Sequence, residues 1–186
     1  MYHKLLINTL PLLIETGLSF MKIVIRILVF FLLISSSIAA QHSATPPAQT
    51  VPAFEFYKFD KSLFTNKNLA VNKPLFFFFF DCTCDHCQQA MKYLNQHFKD
   101  FKNAGVYLIS LDTQQAMTGF LNKYAPNVIN QKNVTVLQDT KTEFITRFKP
   151  RKYPSLFLYD SNRKLLDYED NPDNMFRFSM LLNKTR

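Results

Sequence analysis

The stretch that decides the fold runs from residue 75 to residue 87 and reads LFFFFFDCTCDHC. Its first six residues are continuously apolar and lie between Pro74 and Asp81, which is typical of a short strand buried on both faces of a sheet. From Cys87 onward, apolar residues recur at helical spacing at Ala90, Met91, Leu94, Phe98 and Phe101. The segment therefore predicts a buried strand that leads, through a cysteine-rich turn, into an amphipathic helix.

Further strands are predicted on the C-terminal side of this helix. The sequence Asn-Ala-Gly at residues 103–105 ends the helix, and the apolar residues 106–111 predict a strand parallel to the first, which completes a β-α-β unit. Residues 134–137 predict another strand. Residues 155–159 and 165–168 predict two strands joined by a turn short enough to make them antiparallel.

Capping signals predict where the later helices begin. Asp112 with Gln115 is expected to cap one helix, and Thr140 with Glu143 forms a capping box for a short helix. Asn171 followed by a proline predicts the start of a terminal helix. The order of elements indicates an α/β domain with a mixed sheet.

The composition excludes several classes of function. The chain has 186 residues, with 20 Phe and only 3 Gly, so a glycine-rich loop that cradles phosphate is not expected. The net charge of +8 would suit a nucleic-acid-binding protein, but the basic residues are scattered along the chain. We therefore expect neither a nucleotide-binding fold nor a nucleic-acid partner.

The N-terminal part of the chain has the pattern of a secretory signal peptide. Lys22 precedes an apolar run at residues 23–34, and Ser37 and Ala39 fit the small-residue positions before a cleavage site, so cleavage is predicted after Ala39. Met21 directly precedes the charged residue, which favours it over Met1 as the translation start. The alternative is an uncleaved anchor, for which a 12-residue run is short, since about 20 residues span a bilayer.

This targeting signal determines the expected organisation and location. Residues 1–39 are the signal peptide, the polar, proline-rich residues 40–50 form a linker, and residues 51–186 form the domain. The mature chain is expected in the periplasm or cell envelope of a bacterium, with a membrane contact only if the signal segment stays uncleaved. Paired cysteines can persist as disulfides in such an oxidising compartment.

All three cysteines lie in the turn that opens the first predicted helix. Cys84 and Cys87 form a C-x-x-C pair, which places Cys84 at the helix N-terminus, where free N–H groups and the helix dipole stabilise a thiolate. Cys87 lies one turn later, on the buried face. This geometry predicts that Cys84 attacks a substrate disulfide and that Cys87 resolves the mixed disulfide.

Two other interpretations of the same residues stay open. Cys82, Cys84, His86 and Cys87 are soft ligands that could hold Cu(I) or zinc, which would suit a copper metallochaperone. A purely structural Cys84–Cys87 disulfide would suit a non-catalytic interaction module, although it closes a loop too small to stabilise the domain much.

The chain resembles the thioredoxin superfamily, and specifically the exported redoxins of the TlpA/ResA type. The resemblance covers roughly residues 51–170 and rests on Cys84-Asp85-His86-Cys87 after a hydrophobic strand, and on the segment YPSLFLYD at residues 153–160. It implies a thioredoxin-like three-layer α/β/α sandwich with a central mixed β-sheet. It also implies a cis peptide between Tyr153 and Pro154 that faces the cysteines and binds substrate.

The sequence departs from this family at three positions near the cysteines. Phe78 stands where thioredoxins carry a buried Asp, Thr83 replaces the usual Trp, and Cys82 is an additional thiol, which we interpret as a bystander. The peroxiredoxin pattern P-x-x-x-T-x-x-C is absent from the sequence, which disfavours a peroxidase.

Charged residues near the pair are candidate tuning groups. His86, when protonated, would stabilise a Cys84 thiolate, and Asp85 would oppose it. A group of basic residues is expected either to border the active site and favour acidic partners or to form a solvated face: Lys141, Arg147, Lys149, Arg151 and Lys152. The sequence thus predicts a thiol-disulfide oxidoreductase that needs no organic cofactor and acts on protein thiols and disulfides of the envelope.

Overall fold

The computed structural model describes residues 21–27 and 45–184. The chain divides into two units, one ending at Ser43 and the other beginning at Ala44. Residues 21–27 of the first unit are helical, and the predicted cleavage site after Ala39 lies outside the described residues. Among the helices in the described ranges, none is long and apolar enough to span a membrane.

The second unit is built on a mixed sheet. Its strands are β1 (Glu55–Tyr57), β2 (Leu63–Thr65), β3 (Leu75–Phe79), β4 (Gly105–Ser110), β5 (Val134–Gln138), β6 (Ser155–Tyr159) and β7 (Leu165–Glu169). In the described part of the chain they form one sheet with the order β2-β1-β5-β4-β3-β6-β7. β3, β4 and β5 are parallel neighbours, whereas the other neighbouring pairs are antiparallel.

Helices cover both faces of this sheet. They are α1 (Asp85–Gln96), α2 (Gln114–Tyr124), α3 (Glu143–Phe148) and α4 (Phe176–Lys184), with 3-10 turns at Asn66–Asn68, Phe98–Phe101 and Pro172–Asn174. Buried side chains of α1, α2 and α4 pack in one core cluster, and those of α3 pack in a second cluster. This is the predicted three-layer arrangement.

The central strand β3 explains why the sequence needs so many phenylalanines. Phe76, Phe78 and Phe80 pack in the cluster that contains α1, whereas Phe77 and Phe79 pack in the cluster that contains α3. Alternate residues of a strand point to opposite faces, so a strand between two helical layers must be apolar at every position. All five rings are at most 2% exposed, which confirms the predicted two-sided burial.

The hairpin β1–β2 is the part of the sheet that the sequence did not reveal. Each of its strands is only three residues long, which is too short to show a clear alternation of apolar and polar residues. It is attached to the sheet through β5, where Tyr57 pairs with Gln138.

The predicted extent of the first helix is wrong at its C-terminal end. The α-helix ends at Gln96, and a 3-10 turn at Phe98–Phe101 carries the chain onward, because His97 leaves the helical conformation with φ −109° and ψ 19°. The apolar spacing continues through this turn and conceals the break, since the rings of Phe98 and Phe101 stay in the core.

Two of the predicted caps are also wrong. Thr113, and not Asp112, caps α2, where its hydroxyl accepts the N–H of Ala116 at 3.3 Å. At α3 the cap is the carboxylate of the buried Asp139, which accepts the N–H groups of Glu143 at 3.0 Å and Phe144 at 2.8 Å. Thr140 takes no part, and Thr142 at the N-cap position has a left-handed backbone and no side-chain cap bond.

The last residues of the predicted linker are hydrogen-bonded to the domain. The N–H of Ala48 donates to the carbonyl of Phe148 at 2.9 Å, and the carbonyl of Gln49 accepts the N–H of Leu165 at 2.8 Å. The hydroxyl of the buried Tyr159 donates to the carbonyl of Ala48 at 3.0 Å. The ordered contacts of the domain therefore begin before residue 51.

Candidate active site

The cysteine pair lies where β3 leads into α1. Cys84 is the N-cap residue of α1, and its Sγ accepts the backbone N–H of Cys87 at 3.4 Å. Cys84 is partly exposed, whereas Cys87 is fully buried beside Met91 and Leu94. The helix N-terminus thus presents one sulfur to solvent and keeps the other inside the core.

A segment far away in the sequence completes the site. The peptide bond between Tyr153 and Pro154 is cis, as the resemblance implied, and it directly precedes β6. The thiol of Cys84 donates to the carbonyl oxygen of Tyr153 at an S···O distance of 4.0 Å. β6 pairs with β3, with Ser155 opposite Phe79, and this pairing brings the two segments together.

The side chain of Tyr153 forms part of the wall of the site. Its ring packs on Phe79 at a centroid distance of 4.8 Å. Burial, followed by the negative charges of Asp81 and Asp112, raises the pKa of Tyr153 to about 12. The phenol is therefore neutral at physiological pH.

The environment of Cys87 disfavours its thiolate. Burial raises the pKa of the Cys87 thiol above its ordinary value, and the hydrogen bond and charge of Cys84 raise it further. A hydrogen bond from the backbone of Asp81 opposes this effect but is outweighed. Cys87 is thus protonated at neutral pH while the pair is reduced.

Sequence reasoning missed the carboxylates that shape the loop before Cys84. The Oδ1 of Asp81 accepts the backbone N–H of Thr83 at 2.7 Å and its hydroxyl at 2.6 Å. The Oδ2 of Asp112 accepts the backbone N–H of Cys82 at 2.8 Å. Asp112 follows β4, which runs parallel to β3, so both carboxylates stand at the C-terminal edge of the sheet, a juxtaposition that the predicted β-α-β unit already implied.

The two residues between the cysteines lie on the surface. Asp85 and His86 form the first turn of α1 and are both exposed. Their charges therefore act on Cys84 from the solvent side, where screening is strong.

The metal-binding alternative gains no geometric support from the described residues. No group of three or more His, Cys, Asp or Glu side chains in ranges 21–27 and 45–184 is arranged to hold a metal ion. The three cysteines are free thiols in this structure.

The basic group is largely engaged in ion pairs on the surface. Lys141 pairs with Glu55 at 2.8 Å, Arg147 with Glu143 at 3.0 Å, and Arg151 and Lys152 with Asp170 at 2.8 and 3.5 Å. Three carboxylates thus offset part of the charge of these four cations, which favours the solvated face over a docking site for acidic partners.

The sheet order, the two helical layers, the C-x-x-C pair and the cis-proline segment define a thioredoxin-like protein. A sequence model of the AhpC/TSA family matches residues 47–167, and the chain belongs to this family. This match confirms the expected membership of the thioredoxin superfamily, and the relative and structures described next agree with its TlpA/ResA type.

A relative of the chain agrees with this assignment. The chain is 28% identical over 98 residues to the thiol-disulfide oxidoreductase ResA of Bacillus cereus, a match that covers 51% of this chain and 53% of that protein. The matched region thus spans about half the length of this relative.

Solved structures share the fold. The structure of DsbF from Mycobacterium tuberculosis matches with a TM-score of 0.58 at 25% identity, over 74% of this chain and 99% of that chain. Peroxidoxin BcpB from the same organism matches with a TM-score of 0.61 at 18% identity, over 75% of this chain and 97% of that chain. The thioredoxin domain of a thiol-disulfide oxidoreductase from Bacteroides vulgatus matches with a TM-score of 0.58 at 16% identity, over 76% of this chain and 98% of that chain.

Proposed function

We propose that this protein is an exported thioredoxin-like thiol-disulfide oxidoreductase. The observation that carries the proposal is the asymmetry of the pair: Cys84 caps α1 with its sulfur partly exposed, and Cys87 is buried one turn behind it. A pair of this kind can exchange electrons with a disulfide of another protein without a cofactor.

The exchange proceeds in two steps. The Cys84 thiolate attacks one sulfur of a substrate disulfide, which forms a mixed disulfide on Cys84 and releases one substrate thiolate. Cys87 then loses its proton and attacks the Sγ of Cys84, which forms the Cys84–Cys87 disulfide and releases the second substrate thiolate. The substrate gains two electrons and the pair loses two, and the reverse sequence oxidises a dithiol.

The segment at Tyr153 and Pro154 is the proposed substrate-binding strand. The carbonyl oxygen of Tyr153 lies within 4.0 Å of the attacking sulfur, so an extended substrate that reaches Cys84 passes beside this backbone. Backbone contacts of this kind do not depend on the side chains of the substrate, so they suit a broad set of protein substrates.

Equilibration with glutathione tests this function. Across a series of ratios of reduced to oxidised glutathione, the purified protein is expected to convert reversibly between a dithiol and a Cys84–Cys87 disulfide, with Cys82→Ser behaving like the wild type. Failure to form this disulfide at any ratio would contradict the proposal. Rapid consumption of hydrogen peroxide without disulfide exchange would instead favour a peroxidase, the activity in the name of the BcpB neighbour.

Export is supported by the apolar run at residues 23–34 and the small residues Ser37 and Ala39. In a bacterial host that expresses the full chain, the protein is expected in the periplasmic fraction with Ala40 as its first residue. Recovery in the cytoplasm with an intact N-terminus would contradict export without affecting the assignment of the cysteine pair.

A further inference from the structure

The third cysteine has no part in the two-step exchange, yet it lies in the same loop as the pair. Cys82 is partly buried and, like Cys84, packs against the core cluster that contains Cys87. A reactive thiol at this position would compete with Cys87, because attack of a Cys82 thiolate on Cys84 of the Cys84–Cys87 disulfide forms a Cys82–Cys84 disulfide and releases the Cys87 thiolate.

One carboxylate holds this residue. The Oδ2 of Asp112 accepts the backbone N–H of Cys82 at 2.8 Å and the hydroxyl of Ser110 at 2.9 Å. Ser110 is fully buried, and its Oγ in turn accepts the N–H of Asp112 at 3.1 Å. The carboxylate is therefore fixed beside the backbone of Cys82.

We propose that Asp112 is a positioning residue that anchors the loop through Cys82 and keeps the Cys82 thiol unreactive, so that Cys87 alone resolves the exchange. The inference rests on the proposed function, and it adds that Asp112 suppresses the reactivity of the competing thiol Cys82.

The charges around Cys82 support this role. Burial raises the pKa of the Cys82 thiol well above its ordinary value, and its hydrogen bond to Asp112 and the charges of Asp112 and Asp81 raise it further. Asp112 stays ionised, because burial would raise its pKa but hydrogen bonds from Cys82 and Ser110 outweigh burial and lower it. A Cys82 thiolate would thus place a second negative charge against a fixed one.

The test uses a protein in which Cys82 is the sole thiol, with Cys84→Ser and Cys87→Ser, compared with and without Asp112→Asn. Alkylation of Cys82 by iodoacetamide is followed by mass spectrometry from about pH 6 to about pH 10. Asp112→Asn should accelerate alkylation about tenfold at each pH in this range, which corresponds to a pKa lower by about one unit, since it removes the adjacent charge.

Two variants serve as controls. Asp85→Asn removes an exposed carboxylate of the neighbouring helix turn and should change the rate by less than about twofold, because that charge is screened by solvent. Ser110→Ala loosens the anchor but keeps the Asp112 charge, so it should increase the rate much less than Asp112→Asn does. An unchanged rate in Asp112→Asn would overturn the proposal, as would an equal rate increase in Ser110→Ala, which would indicate only a loosened loop.

A second measurement addresses the competition itself. In Cys87→Ser, where only Cys82 and Cys84 remain, equilibration with oxidised glutathione should give mainly the glutathione adduct, and adding Asp112→Asn should increase the internal Cys82–Cys84 disulfide severalfold. Equal amounts of internal disulfide with and without Asp112→Asn would contradict the proposal. The alkylation assay needs no disulfide exchange, so its result is independent of whether the proposed function holds.

Discussion

The backbone N–H of Cys87 donates to the Sγ of Cys84 at 3.4 Å, so the two cysteines are in contact before any disulfide forms. The contact is a consequence of helix geometry, because an N-cap side chain accepts the N–H of the residue three positions later. In the proposed exchange, the resolving residue Cys87 is therefore held one helical turn from the sulfur that it attacks. Its own thiol, however, is buried and hard to deprotonate.

The raised pKa of Cys87 predicts a strong pH dependence of the resolving step. Below the pKa, the thiolate fraction increases about tenfold per pH unit, so the rate of resolution should increase by about this factor per unit from neutral into alkaline pH. Reaction of the reduced protein with Ellman's reagent measures the rate of resolution, because attack by Cys84 releases the first chromophore and resolution by Cys87 releases the second.

The Cys87→Ser variant is the control for this experiment, since it should release only the first chromophore. If the rate of the second phase stopped increasing with pH already below pH 7, Cys87 would titrate in a low range, contrary to its buried environment.

The two residues between the cysteines should tune the redox potential in opposite directions. Asp85→Asn should raise the potential and His86→Ala should lower it, because the first change favours a Cys84 thiolate and the second disfavours it. Each shift should be roughly 20 mV or less, since both side chains are exposed. We expect a wild-type potential between about −270 mV and about −120 mV, measured by equilibration with glutathione. Shifts of the same sign in both variants would be incompatible with a charge effect.

The Asp139 carboxylate should be important for stability. Asp139→Ala removes the acceptor for the first N–H groups of α3, including the buried one of Phe144, and should lower the free energy of unfolding by about 2 kcal/mol in urea denaturation. Thr140→Ala, at the cap position that the sequence suggested, should change it by less than about 0.5 kcal/mol. A larger loss of unfolding free energy for Thr140→Ala than for Asp139→Ala would show that Thr140 caps α3, as the capping-box prediction had it.

The Tyr159 hydroxyl should hold the segment before β1 on the domain. Tyr159→Phe removes its hydrogen bond to the carbonyl of Ala48 and should lower the free energy of unfolding by about 1 kcal/mol. Amide hydrogen exchange at Ala48 should become faster at the same time. Tyr93→Phe is a matched control, since the hydroxyl of Tyr93 contacts Ser179 at the longer distance of 3.4 Å. Unchanged exchange at Ala48 would mean that other contacts suffice to hold this segment.

The sequence predicted the elements whose signal is local and strong. Strand β3 is apolar at every position because both of its faces are buried, and the cysteine spacing fixes the start of α1. β6 and β7 were predicted because the turn between them is short. The Tyr153–Pro154 segment was placed opposite the cysteines only through the family resemblance, since nothing in its local sequence indicates a contact across 69 residues.

The features that were missed depend on tertiary contacts. Asp112 and Asp139 both follow a strand closely and precede a helix. From the sequence alone, either carboxylate could cap the following helix or bind a backbone group of another segment. In the structure Asp139 caps α3, whereas Asp112 turns to the backbone of Cys82. Which of these occurs is decided by the neighbouring strand, because β3 places the Cys82 N–H within reach of Asp112 and leaves Thr113 to cap α2.

The most direct test of the central claim is a comparison of mixed disulfides in two single-cysteine substitutions. Reduced Cys87→Ser and Cys84→Ser are each incubated with oxidised glutathione, and the adducts are localised by mass spectrometry. If Cys84 is the accessible attacker and Cys87 the buried resolver, Cys87→Ser should accumulate a glutathione adduct on Cys84, whereas Cys84→Ser should form an adduct on Cys87 at least about tenfold more slowly. Equal accumulation in the two variants, or faster accumulation in Cys84→Ser, would contradict the assignment.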